Sequence, residues 1–354
     1  MLKTTLAARA QALAPVFAPD LVTWQRHQGR HDLPWQRDRD PYRVWLSEIM
    51  LQQTQVATVR GYFERFLQRF PDIQRLAAAP LDDVLAQWAG LGYYRRARFL
   101  HQCAQTVVMK HGGVFPQQAA QLVSLPGIGP STAAAIASFC FGERVSILDG
   151  NVRRVLSRLL ACDADPGTMA TQRALEAAAE TLLPEHTQLM PAYTQGLMDL
   201  GATLCTPRDP ACGRCPMAAS CHGLQSGEPL RYPAKSRRLV RQRRENWWLW
   251  AQSGDQVWLE QRPEQGVWAG LWTLPLLDSA AACQEHIDAH VGVEPVQVLP
   301  VIKHALTHFD WFLHPVPVQV PLASASFRST GRWVAKAELA GLALPAPLQK
   351  LLSR

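Results

Sequence analysis

Leu125-Pro126-Gly127-Ile128-Gly129-Pro130-Ser131-Thr132-Ala133 sets two glycines and two prolines between apolar flanks. Glycine reaches backbone conformations closed to other residues, and the small residues behind it let a following helix pack closely. The stretch reads as a tight turn between two helices, turning backbone N–H groups and the positive end of the second helix outward. Such a turn holds a phosphate oxygen, or a cation bound to phosphate, without reading sequence. An ordinary αα turn uses the same residue types. Outward from it, apolar positions recur at three and four residues, as in Val44, Ile49, Val56, Val59 and Phe63. Breakers at Pro71, Pro80, Gly90, Gly112, Pro116 and Gly142 separate these runs. The first 220 or so residues are therefore expected to be helix after helix, with no strand-length alternation among them.

The pattern changes after residue 230. Trp247–Trp250, Val257–Arg262, Pro315–Val320 and Arg332–Val334 are short, aromatic and β-branched, and they predict a strand-rich second domain. The expected class is α+β: a helical domain over 1–223, a linker over 224–245, and a smaller α/β domain over 246–354. Two domains suit 354 residues, and 47% hydrophobic content with 12 Trp excludes a disordered chain. No apolar run approaches a membrane span, and Leu6–Ala18 is interrupted by Arg9, Gln11 and Pro15, unlike a signal peptide. A cytoplasmic protein is expected. Net charge is +3 over 1–230, +6 over 231–245 and −2 over 246–354, so a short strap carries most of the basic excess. That strap reads equally as a solvated linker and as a binder of a polyanion.

Three further features carry chemistry. Cys205, Cys212, Cys215 and Cys221 follow C-x6-C-x2-C-x5-C, whereas Cys103, Cys140, Cys162 and Cys283 are scattered in apolar surroundings and read as structural thiols. Disulfides are disfavoured in a cytoplasmic chain, and spacing alone leaves a tetrahedral zinc and a 4Fe-4S cluster both open. Loops this short build no core, so the metal would organise the segment. Asp149 stands at the head of a predicted helix in Ile147-Leu-Asp-Gly-Asn-Val152, where a carboxylate caps N–H groups and stays ionised. Trp45-Leu-Ser-Glu-Ile-Met-Leu-Gln-Gln-Thr-Gln-Val56 reads as a largely buried helix with one carboxylate, Glu48. Unpaired burial raises a carboxyl pKa toward that of a general acid at neutral pH, while a core ion pair with a nearby arginine gives the bland alternative.

The cysteine spacing, the glycine-rich hairpin and the aspartate 20 residues beyond Gly129 together resemble the endonuclease III superfamily of helix-hairpin-helix DNA glycosylases. Ser47-Glu-Ile-Met-Leu-Gln-Gln-Thr54 and Gly90-Leu-Gly-Tyr-Tyr94 extend the likeness to its MutY family of adenine glycosylases, over about residues 24–221. The resemblance implies a 4Fe-4S cluster on the four cysteines, not zinc. It implies Glu48 as the acid that protonates adenine at N7, Asp149 as stabiliser of the developing sugar cation or transient nucleophile, and Asn151 as a hydrogen-bonding support. Gly127, Gly129 and Ser131 fall in the DNA-binding hairpin. Ser131 occupies the place where bifunctional glycosylase-lyases carry a nucleophilic lysine, so a monofunctional enzyme is implied. Gln53 and Tyr93 correspond to the wedge entering the duplex, and Leu33 and Trp35 to walls of the base pocket, although Tyr93 and Trp35 also read as core aromatics.

Gln261-Arg-Pro-Glu-Gln-Gly-Val-Trp-Ala-Gly-Leu-Trp-Thr-Leu-Pro275 resembles the beginning of a Nudix-like domain, but residues 278–285 lack the acidic Nudix box. Lesion recognition is expected there in place of pyrophosphate hydrolysis. The family's Phe-Ser-His loop, which contacts 8-oxoguanine, corresponds to Leu306, Thr307 and His308, with Leu306 departing from the aromatic. The implied function is removal of adenine mispaired with 8-oxoguanine or guanine, by a monomer acting on double-stranded DNA near the bacterial nucleoid. Two rivals are a thymine mismatch glycosylase on the same scaffold and a non-catalytic, redox-sensing iron-sulfur protein. No motif identifies a protein partner.

Overall fold

The computed structural model describes residues 2–234, 240–290, 299–321 and 331–353. The chain divides into two compact units, Met1–Ala77 with Gln102–Arg238, and Ala78–His101 with Leu239–Arg354.

The first unit is helical. It contains α1 (Leu2–Gln28), α2 (Pro41–Leu51), α3 (Val56–Arg69), most of α4 (Ile73–Ala78), and, after the intervening α5 (Leu81–Trp88), the greater part of α6 (Arg95–His111). Then come α7 (Ala119–Leu122), α8 (Pro130–Phe141), α9 (Gly150–Leu159), α10 (Met169–Thr181), α11 (Met190–Asp199) and α12 (His222–Gln225). Helix α1 continues through Pro15 and Pro19, which each remove a backbone donor. Its row of Leu6, Ala10, Leu13, Phe17 and Leu21, at spacings of three and four, is buried, with α1 packed against α10 and α11. Tertiary burial outweighs the local loss there. At the far side of this core Phe17 meets Tyr193 edge-on at 6.1 Å.

The second unit carries α5, the first turns of α6, and a mixed sheet ordered β3-β2-β1-β6-β5. Its strands are β1 (Gln242–Ser253), β2 (Gln256–Gln261), β3 (Trp272–Thr273), β4 (Leu276–Leu277), β5 (Ile302–Ala305), β6 (Phe309–Gln319) and β7 (Gly331–Ala335). Strands β1 and β6 run parallel, from Gln242 beside Phe309 to Gln252 beside Gln319. A two-residue Gly254-Asp255 loop turns β1 into β2, with Gly254 at φ 59°. Helix α13 (Ala280–His290) covers β1 and β4, and α14 (Ala346–Leu352) closes the chain. Leu249, Ala251, Trp258, Cys283, Ile287 and Val318 form the core between them.

The four expected strand segments fall on strands, with only Arg262 and Val320 just past the ends of β2 and β6, and among the described residues every strand follows residue 241. Two expectations differ in detail. The linker span 224–245 holds structure at both ends, since α12 reaches Gln225 and β1 starts at Gln242; strap residues Lys235, Ser236, Arg237 and Arg238 lie outside the described residues. The helix expected through Val56 ends at Leu51, because Gln53 takes a left-handed φ of 57° and the chain restarts as α3 from a Gln55 N-cap. Of the scattered thiols, Cys103, Cys162 and Cys283 are buried and Cys140 is half-buried.

Candidate functional site

Pro41 begins α2, and the Asp40 carboxylate caps it by accepting from Arg43 N at 2.9 Å. Trp45, Leu46, Ile49 and Met50 then fill the core. Glu48 falls on the remaining face, where it lines a cavity of about 290 Å³ together with Leu33, Trp35, Arg30 and Gln195. Among the described residues Glu48 has no ion pair, so the core salt bridge does not form. Burial, helped by the negative charge of Asp149, pushes its carboxyl up to about 8. Glu48 is thus mostly protonated at neutral pH, a proton donor in an apolar recess. Trp35 is both core and wall: it is 7% exposed and meets Phe63 edge-on at 5.5 Å while facing the cavity.

Asp149 is the N-cap of α9, and its Oδ1 accepts from Val152 N at 2.7 Å. The capping carboxylate stands at the positive end of the helix dipole, whereas Glu48 is buried away from any ion-pair partner among the described residues. Asn151, two residues on, accepts from Arg154 Nη2 at 2.9 Å. Arg154 also donates to Gly201 O at 2.6 Å and Cys205 O at 2.8 Å, tying the start of α9 to the cysteine segment. Gly201 lies in a π-helical turn, Leu200–Leu204, where an added Cβ would stand 2.8 Å from the Asn151 Cβ.

Sequence reasoning missed the groups that shape the cavity's polar side. Asp199, fully buried, accepts from Arg30 Nε at 2.7 Å, Arg30 N at 2.9 Å and Gln195 Nε2 at 2.8 Å. It therefore fixes Arg30 and Gln195 where they line the pocket. The signal available was the i, i+4 spacing of Gln195 and Asp199, which places them one turn apart on one helix face.

The hairpin is formed by α7, a turn through Leu125–Ile128, and α8 with Gly129 as N-cap. Gly127 has φ 75°, and both glycines are exposed with Pro130. Ser131, half-buried in the first turn of α8, offers a hydroxyl and no amine. Among the described residues, the non-glycine positions with positive φ are Gln53, Tyr93, Ala161 and Trp268. The first two are the expected wedge residues. Both are exposed, Tyr93 to 49%, and strained backbone of this kind collects at functional positions.

The cysteine segment is a string of short turns, Cys212–Arg214 and Ala218–Ser220, with Cys205, Cys212, Cys215 and Cys221 all unpaired by disulfide and partly buried. The thiols lie within one another's electrostatic reach, and burial lifts Cys215 up to about 11. Buried Arg158 braces them from α9, donating to Thr206 O at 2.6 Å, Pro207 O at 3.1 Å, Tyr232 O at 3.0 Å and Cys205 Sγ at 3.4 Å.

Three family models match the chain: the HhH-GPD superfamily of base excision DNA repair proteins over residues 46–180, the iron-sulfur binding domain of endonuclease III over 205–221, and a NUDIX domain over 246–354. The adenine DNA glycosylase of Buchnera aphidicola subsp. Schizaphis graminum is 33% identical, over 95% of this chain and 98% of its own. The chain belongs to the adenine DNA glycosylase family. The human adenine DNA glycosylase is 37% identical over 75% of this chain and 58% of its own. Among solved structures, a thermostable thymine-DNA glycosylase superposes with a TM-score of 0.55 at 28% identity, covering 61% of this chain and 98% of that one.

As a base-excision glycosylase of this family, the protein carries a 4Fe-4S cluster. The donor set fits it. Four soft thiols, partly buried and unpaired by disulfide, lie within one another's electrostatic reach. Burial disfavours the Cys215 thiolate, and the positive charge of a bound metal would offset that. In the glycosylase's second unit, Leu306, Thr307 and His308 form the tip of the β5–β6 hairpin, with Thr307 and His308 exposed. The end of the basic strap runs beside that tip: Gln242 N donates to His308 O at 3.1 Å, and Arg243 and Arg244 lie over the Phe312 and Phe309 rings. No helix among the described residues is long and apolar enough to cross a membrane.

Proposed function

We propose that the glycosylase is monofunctional and hydrolyses the N-glycosidic bond of adenine mispaired with 8-oxoguanine or guanine in double-stranded DNA, acting as a monomer. The observation that carries this reading is Glu48: a buried, unpaired carboxyl whose pKa is pushed up to about 8, lining a base-sized recess, with the helix-capping Asp149 near enough to contribute to that rise. Adenine leaves poorly as an anion, so an acid must protonate it as the bond lengthens, while a fixed negative charge steadies the sugar cation.

In this mechanism Gln53 and Tyr93 enter the stack as the adenine is turned out, at a cost of a few kcal/mol. Leu33 and Trp35 cover its faces in the recess, and Arg30 and Gln195, held by Asp199, meet its polar edge. Glu48 gives its proton to N7, the C1′–N9 bond breaks, and Asp149 stabilises the oxocarbenium, directly or as a transient ester. The Glu48 carboxylate then takes a proton from the attacking water, leaving free adenine and an abasic site. Asn151, held by Arg154, supports the head of α9 next to Asp149. Each such acid or electrostatic group contributes typically ~10²- to 10⁴-fold in rate.

Gly127, Gly129 and the Ser131 end of α8 hold backbone phosphate through N–H groups. With serine at that position the hairpin has no amine to form a Schiff base, so the strand stays intact after base loss. The cluster, when bound, organises residues 205–221 as a rigid loop. Residues 1–223 are read as the catalytic domain and 246–354 as the domain that contacts the lesion through Thr307 and His308, with a basic strap between them.

The test is to incubate the protein with duplexes carrying adenine opposite 8-oxoguanine, adenine opposite guanine, and thymine opposite guanine, and to score strand breaks before and after hot alkali. Breaks only after alkali, at the adenine, are expected. Release of thymine, or tight binding with no release from any duplex, would replace this reading with the thymine glycosylase or the non-catalytic iron-sulfur protein.

A further inference from the structure

The turn that presents Tyr93 is fastened from behind. Gly90, Gly92 and Tyr93 have φ of 92°, 78° and 49°; the glycines reach such angles freely, whereas Tyr93 keeps its angle only because its surroundings hold it. Arg96 Nη2 and Trp88 Nε1 both donate to Gly92 O at 3.1 Å, and the Arg96 guanidinium lies 5.5 Å from the centre of the Tyr93 ring. Tyr94, 8% exposed, accepts from Gly90 N at 3.1 Å and donates its hydroxyl to Leu344 O at 3.3 Å. One turn along α6, Arg98 donates from Nε to Ala269 O at 3.3 Å and occupies the space a Cβ at Gly270 would need.

The other end of this fastening is equally constrained. Trp268 opens the Trp268-Ala269-Gly270 turn at φ 58°, an outlier for a bulky side chain. It is kept there by stacking on Trp248 at 5.7 Å and on Trp311 at 4.6 Å, each at 25°, with His304 at 5.4 Å. Trp311 and His304 are a paired couple on β6 and β5, directly behind the Leu306–His308 tip. All of these groups lie in one compact unit. The hairpin tip, the Trp311–Trp268 stack, the Ala269 carbonyl, Arg98 and the Tyr93 turn thus form an unbroken series of packed groups.

We propose that Trp268, Arg98 and Tyr94 are positioning residues that couple contact at the Leu306–His308 hairpin to the attitude of the Tyr93 ring, so that 8-oxoguanine opposite adenine speeds opening of the pair. This rests on the assignments of Tyr93 as wedge and of Thr307 and His308 as lesion contacts. Coupling along such a series is what a double-mutant cycle measures.

The experiment uses the full-length, cluster-loaded protein and duplexes with 2-aminopurine beside the target adenine, opposite 8-oxoguanine or guanine, following fluorescence in stopped flow. Thr307→Ala and Arg98→Lys are each expected to cut the ratio of opening rates, 8-oxoguanine over guanine, by about three- to ten-fold, the effect of one hydrogen bond. For Arg98→Lys the guanine rate should hold within about twofold, and the double variant should be no worse than the poorer single one. Tyr94→Phe removes only a hydroxyl and carries the same cycle if Arg98→Lys folds poorly. Effects of the pair that multiply, or a loss shared equally by both duplexes, would overturn the coupling. Tyr93→Ala opening DNA at the wild-type rate would instead sink the wedge assignment, and an inert Thr307→Ala would sink the lesion contact.

Discussion

Glu48 shows how one carboxyl is given its task by where the chain puts it. Folding lifts its pKa from an ordinary carboxylate value to about 8, because burial and the Asp149 charge both disfavour the anion. Between those values the folded state holds a proton that the unfolded chain has lost, so stability falls as pH rises through that window and levels off above about 8. Glu48→Gln should therefore melt higher than wild type at pH 7, by on the order of 1–3 kcal/mol, while losing base release and keeping DNA binding. Paired melts at pH 5 and 7 would check it, the gain being smaller at pH 5. Asp149→Asn keeps a capping side chain but removes the charge that stabilises the sugar cation, so release should drop by about 10² or more with little change in melting. Equal release by that variant would count against the electrostatic role. At this scale the sequence was informative because each carboxylate sits in a distinctive local string. Arg30 was not legible: its partner Asp199 is 169 residues away, and nothing local announces a pairing that only the fold creates.

Among elements, the departures lie where periodicity hides a turn. Apolar spacing carries on smoothly from Ile49 to Val56, yet the helix stops at Leu51 and Gln53 is thrust outward. Period alone does not register a residue in the left-handed region, and such a residue marks a functional position more than a packing one. The helices, the glycine hairpin and the longer strands were legible because their patterns are long or chemically specific. The two-residue strands β3 and β4 were not, since they pair only through tertiary context. The π-helical turn yields a sharper expectation. Gly201→Ala would push its Cβ into Asn151, costing about 1–3 kcal/mol in stability and slowing base release by up to about a hundredfold through misplacement at the head of α9. Melting and single-turnover excision measured together would show both, and unchanged excision would detach Asn151 from the chemistry.

For the whole molecule, charge and metal set the terms. The strap's Arg241, Arg243 and Arg244 adjoin the β5–β6 hairpin tip, partly engaged by Asp310 and Glu245. Replacing all three with alanine should weaken DNA binding and lower the slope of log affinity against log salt by about one per lost phosphate contact. An unchanged slope would make the strap an inert linker. Iron removal should be felt well beyond the cysteines, because Arg158 and Arg154 bridge residues 201–207 to the helix that begins at Asp149. Apo protein is expected to melt lower and to bind duplex weakly; equal melting of the iron-free chain would refute an organising role.

The most direct measurement is single-turnover adenine release from an adenine:8-oxoguanine duplex between pH 5 and 10, for wild type and Glu48→Gln side by side. A wild-type rate that falls as pH rises through about 8, with no measurable release by the amide variant at any pH, is the result expected of a protonated Glu48 acting as the acid. A rate indifferent to pH from 6 to 10, or release by Glu48→Gln close to wild type, would contradict it.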